Sequence, residues 1–93
     1  MSPSEFTFKL TVPNDPASAT VVAVEATHAV GYANIDAAAG AAFVETLRRE
    51  VAQAVTSASG THTLVVFAAA GGELTVTFAG QSVTCALPKP LPS

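Results

Sequence analysis

Cysteine occurs once in these 93 residues, at Cys85, and tryptophan not at all. A lone cysteine excludes an internal disulfide and a cysteine-rich zinc site. Charge is scarce too. Asp, Glu, Lys and Arg make up 12% of the chain, against roughly a quarter in an average soluble domain. The four basic residues are Lys9, Arg48, Arg49 and Lys89, within a net charge of −3. Only the two arginines adjoin, so no basic stripe exists to neutralise phosphates, and no nucleic-acid partner is expected. Long hydrophobic runs are missing as well. The longest, Leu64 to Ala70, is far short of the roughly 20 residues that cross a bilayer. Met1-Ser2-Pro3-Ser4-Glu5 is no basic segment followed by an apolar run, so it does not read as a signal peptide. The expectation is a soluble, cytoplasmic protein with no membrane partner.

What is present is apolar and small. Hydrophobic residues make up 49% of the chain, with 19 Ala and 12 Val among them. That is too apolar for intrinsic disorder. One domain covering 1–93 is expected, with residues 1–5 and 88–93 as flexible termini. A core of this size buries roughly 60–65% of the unfolded chain's surface, enough to fold without staples.

Phe6, Phe8, Leu10 and Val12 alternate with Thr7, Lys9 and Thr11, the period of a half-buried strand. Pro13-Asn14-Asp15-Pro16 ends it and opens a helix, with Asp15 able to cap the first turn and Pro16 placed where no donor is needed. That helix is predicted to reach about Val30, with Val21, Val24 and His28 on one stripe and Gly31 as its stop. Asp36 caps a second helix reaching about Ala58, in which Phe43, Leu47, Val51, Ala54 and Ala58 keep the i, i+4, i+8 rhythm of a buried face. Thr63 to Ala69 is apolar on both faces, as a central strand would be. Gly71-Gly72 makes a tight hairpin, and Leu74, Val76 and Phe78 alternate with Thr75 and Thr77. Gly80-Gln81 is a second turn, and Val83, Cys85 and Leu87 form a last half-buried strand before the prolines at 88, 90 and 92. The order β-α-α-β-β-β predicts an α+β two-layer sandwich, with two helices on one face of a four-stranded, mainly antiparallel sheet.

Catalytic chemistry finds no foothold in these residues. His28 and His62 are the two imidazoles, and neither stands at a metal-ligand spacing from a second donor. His28 reads as a helix-face residue and His62 as a surface residue at a strand entrance. Cys85, on the apolar side of its strand, reads as a small hydrophobe with a raised pKa. No nucleophile elbow and no phosphate-binding glycine loop occurs. No enzyme activity, cofactor or metal is expected.

Phe8-Lys9-Leu10-Thr11-Val12-Pro13-Asn14-Asp15-Pro16 followed by a helix, and then the helix from Ala42 to Val55, resemble the anti-sigma-factor serine kinases. These belong to the superfamily of ATPases that includes gyrase and the histidine kinases. The strand pair around Gly71-Gly72 also fits, and the resemblance spans about 75 residues in order and spacing. It implies that the second helix is the nucleotide-binding one, carrying an acid and, four positions later, an Asn that holds magnesium. Glu50 matches the acid, but the Asn position falls on Ala54, whose methyl coordinates nothing. The family's adenine-reading Asp-x-Gly-x-Gly loop is matched by Phe78-Ala79-Gly80-Gln81-Ser82, without the acid. The family's ATP lid, its second glycine box and its closing helix and strands are mostly absent. The resemblance thus implies a shortened, nucleotide-blind relative.

Relatives of that kind bind proteins, and the sheet supplies an independent hint. Thr7, Lys9, Thr11, Thr75, Thr77 and Thr84 share the face opposite the apolar side, a sparsely charged lawn of threonine. The expected function is a non-catalytic protein-protein interaction module in a regulatory pathway. Its partners would be a sigma factor, an anti-sigma antagonist or a signalling protein, and a homodimer is expected. The alternatives are an ATP-binding anti-sigma kinase with a divergent site, and a small structural or assembly protein.

Overall fold

The computed structural model describes residues 5–87. Of the expected flexible ends, all but Glu5 lie outside the described residues, as do the tail prolines. The elements run β1 (Phe6–Pro13), α1 (Ser18–Tyr32), α2 (Ala37–Ser57), β2 (His62–Ala70), β3 (Glu73–Phe78) and β4 (Gln81–Ala86). The sheet order is β1-β2-β3-β4, with every neighbouring pair antiparallel. Both helices form one layer on one face, as the strand and helix periodicities predict.

The core takes one parity from each strand. Val12, Val65, Phe67, Leu74, Val76 and Phe78 are buried and meet Phe43, Leu47, Val51 and Val55 from α2. Asp36 caps α2 as expected, its carboxylate accepting from the amides of Ala38 and Ala39 at 3.1 and 3.2 Å. On the solvent side, the Arg48 guanidinium donates two hydrogen bonds to Glu45, at 2.6 and 3.2 Å. That contact holds the Glu45 carboxyl below its usual range and raises Arg48.

Helix α1 buries mostly small side chains. Its buried residues are Ser18, Ala19, Val22, Ala26 and Ala29, while Val21 and Val24 are 48% and 49% exposed and His28 is exposed. The Val21, Val24 and His28 stripe therefore faces solvent. Small side chains face inward because α1 lies close to α2. The helix also starts two residues late. Asp15 accepts from the Ala17 amide at 2.8 Å, and a tight turn (Ser18 N–H to Asp15 O, 2.8 Å) precedes the first α-helical residue. Nor does Gly31 stop the helix. Asn34 takes the left-handed conformation, with φ 59°, its amide donating to Gly31 O and the Ile35 amide to Val30 O. This paired closure is a Schellman motif, with Asn in the place glycine usually fills.

The two hairpins are tight. Gly71 and Gly72 have φ of 62° and 83° between the paired residues Ala70 and Glu73, which is the turn that matches strand twist. The second turn is Ala79-Gly80 (φ 50° and 76°) between Phe78 and Gln81, not Gly80-Gln81. Asn14 ties the end of β1 to the loop before β2. Its amide donates to Thr61 O, its side chain donates to Gly60 O, and its Oδ1 accepts the hydroxyl of buried Thr63. No buried side-chain polar atom among the described residues lacks a partner.

Candidate functional site

Among the described residues, one face of the sheet has no second layer. Register places Thr7 beside Ala68, Ala68 beside Thr75 and Thr75 beside Thr84; one row along, Lys9, Val66, Thr77 and Ser82 are aligned in the same way. Thr11 pairs with Leu64. The six residues expected on one face therefore do share it, and all are exposed except Thr75, which is half-buried. The Thr75 and Thr84 hydroxyls stand 3.5 Å apart. Two strand charges lie on this side, Lys9 and Glu73.

Between the threonine columns runs an apolar one: Leu64, Val66 and Ala68 on β2. Leu64 is 50% exposed, and Val66 and Ala68 are half-buried. These residues were not among the expected face. The signal was present as the loss of alternation in β2. The strand is central in the sheet, as expected, yet among the described residues no layer covers its second apolar column. A shallow depression of about 550 Å³ lies at one end of this face, where His62, Leu64, Val66 and Thr77 meet.

A second concave site lies between α1 and the edge strand β1. Phe6, Phe8, Ala29 and Tyr32 line a cavity of about 300 Å³, with Glu25 and His28 also lining it. The Phe6 and Phe8 rings are 18° apart and Tyr32 stands at 85° to Phe6, 5.3 Å away. Phe8 in turn stacks on buried Phe67 at 4.5 Å and 9°, which fixes its plane. Exposed His28 faces Glu25 at 3.9 Å, a distance too long for a hydrogen bond.

The positions matched to the kinase family lie elsewhere. Glu50 is half-buried on α2. Ala54 is 6% exposed and belongs to the core with Leu47 and Val51. The residues that the resemblance sets against the adenine loop form the two-residue Ala79-Gly80 turn. Among the described residues no three His, Cys, Asp or Glu side chains gather as a metal site, and no helix is long and apolar enough to cross a membrane. His62 is exposed at the start of β2, its Nδ1 2.9 Å from the Thr61 hydroxyl. Cys85 is half-buried on β4, and burial pushes its thiol up. No family model, curated protein or solved structure matches the chain.

Proposed function

We propose that this protein is a non-catalytic protein-interaction module that pairs with a second copy of itself through the open face of its sheet. The observation that carries this reading is the Leu64–Val66–Ala68 column, apolar side chains in the middle of a sheet face over which no other described residues form a layer. Threonine methyls extend that column on both sides. Lys9 and Glu73 are its two strand charges, so desolvating the face removes few charges from water. Two such faces pack as a sandwich, with sheets about 10 Å apart, and a twofold pair is the commonest closed arrangement of a self-complementary patch.

The resemblance to the anti-sigma-factor kinases suggests the setting: a regulatory pathway such as sigma-factor control or phosphorelay signalling, in the cytoplasm, with a sigma factor, an antagonist or a signalling protein as partner. A buried alanine at the metal-binding position supports a nucleotide-blind module over a kinase.

Sedimentation equilibrium at micromolar concentration tests the proposal. The wild-type chain is expected to have twice its monomer mass. Leu64→Lys, at a half-exposed position, and the pair Thr75→Lys with Thr77→Lys should each return it to one chain with the circular dichroism unchanged. A wild-type mass of one chain rejects self-association. A dimer that survives all three lysines moves the interface to an edge strand or the helices.

A further inference from the structure

We propose that the cavity between α1 and β1 binds a small alkylated ammonium, a cation whose charge is wrapped in methyl or methylene groups. The inference is independent of the sheet-face reading and rests on three features of the cavity.

The first is its walls. Phe6, Phe8 and Tyr32 all line it, with Phe6 and Phe8 nearly parallel and Tyr32 almost perpendicular to Phe6. Quaternary ammonium groups are recognised by aromatic rings, and this cavity gathers three of them in two orientations. The second is its charge. Glu25 lines the same cavity, and its side chain is 38% exposed with His28 at 3.9 Å. At that distance the pair uses none of the carboxylate's hydrogen-bonding capacity, so the charge remains available to a ligand. The third is size. About 300 Å³ lies at the small end of ligand pockets, right for a compact head group. An anion would meet Glu25, and a fully hydrated ammonium would have to shed its water against phenyl rings. An alkylated one fits both the rings and the carboxylate.

Tyr32 is the sole tyrosine of a chain without tryptophan, so its fluorescence reports on this cavity alone. The test titrates choline, and separately its uncharged carbon isostere dimethylbutanol, into the full chain while following that fluorescence. Choline is expected to saturate with a dissociation constant below about 1 mM, with the isostere weaker by about fivefold or more. Glu25→Gln should weaken choline to a similar degree, whereas Glu45→Gln, a carboxylate exposed on α2 and paired with Arg48, should leave it unchanged. Amide shifts that centre on Phe6, Ala29 and Tyr32 place the ligand. Equal binding of choline and the isostere overturns the proposal, as does the absence of saturation at about 10 mM choline. An equal effect of the two Gln variants overturns it too, since that would be the general field of an acidic protein.

Discussion

The α-carbon of Gly40 lies against Val30, where an added Cβ would overlap the Val30 Cγ1 methyl. The two residues stand at the junction of the helices, Val30 near the end of α1 and Gly40 in the first turn of α2. Val is β-branched and holds one preferred rotamer in a helix, so the methyl cannot swing aside cheaply. Absence of a side chain at position 40 is therefore what lets α1 and α2 approach here.

Two opposed effects decide the outcome of Gly40→Ala. Alanine gains about 1 kcal/mol of helix propensity, and overpacking against a stiff neighbour costs about 1–3 kcal/mol. A net loss of about 1 kcal/mol is expected in urea denaturation. In a Val30→Ala background the overlap is gone, and the same substitution should become neutral or stabilising by up to about 1 kcal/mol. A loss that persists in that background would mean that something other than Val30 excludes the Cβ.

The second hairpin offers the opposite case. Ala79 occupies the left-handed region at φ 50°, where an L-residue with a Cβ is strained by roughly 1–2 kcal/mol. Asn tolerates that region and Asn-Gly is the preferred pair for this turn. Ala79→Asn should stabilise the fold by about 0.5–1 kcal/mol, and Ala79→Val should destabilise it by more than that. Thermal unfolding of both variants measures the effect, and a destabilised Asn variant would place the turn elsewhere.

How far the residues alone reveal the fold depends on how sharply each segment separates apolar from polar. In α2, Phe43, Leu47 and Val51 stand against Glu45, Arg48, Arg49 and Gln53, so its phase and its Asp36 cap are legible. In α1, Ala and Val occur all round the helix, and hydrophobicity cannot choose a face. Close approach chooses it instead, putting Ala19, Ala26 and Ala29 inside and leaving Val21 and Val24 out. β2 is ambiguous in another way. Its two apolar columns do not say which of them the helices cover; the structure buries Val65 and Phe67 and leaves Leu64 exposed. The threonine face followed from period-two counting alone. The aromatic cavity did not, because it joins Phe6 and Phe8 of one element to Glu25, His28 and Tyr32 of another, and periodicity within an element does not say how two elements meet.

Position 54 carries the prediction about nucleotides. Its methyl is buried in the core, and it stands where the family resemblance implies a metal-binding Asn. Calorimetric titration with Mg-ATP and with ADP should give no saturable binding tighter than about 100 µM. Introducing an amide there should not create a site. Ala54→Asn would bury a carboxamide among apolar neighbours, costing about 1–3 kcal/mol, and ATP should still not bind. A saturable dissociation constant below that limit in the wild-type chain would revive the kinase reading.

Cys85 lies on the covered side of the edge strand β4, half-buried, where desolvation raises the pKa of its thiol. Burial disfavours the thiolate, and the thiolate is the nucleophile. At neutral pH the folded protein should therefore alkylate with iodoacetamide more slowly than the urea-unfolded chain. The folded rate should keep rising with pH beyond the point where the unfolded rate has levelled. The same shift affects stability. The folded state holds this proton more tightly than the unfolded state does, so the contribution is fully present below the unfolded thiol's pKa. It is lost as pH rises through the folded value. Cys85→Ala removes that thiol and should flatten the alkaline decline in stability relative to wild type. Equal alkylation profiles for the folded and unfolded chains would show that the thiol is fully solvated and that β4 does not pack against the core as described.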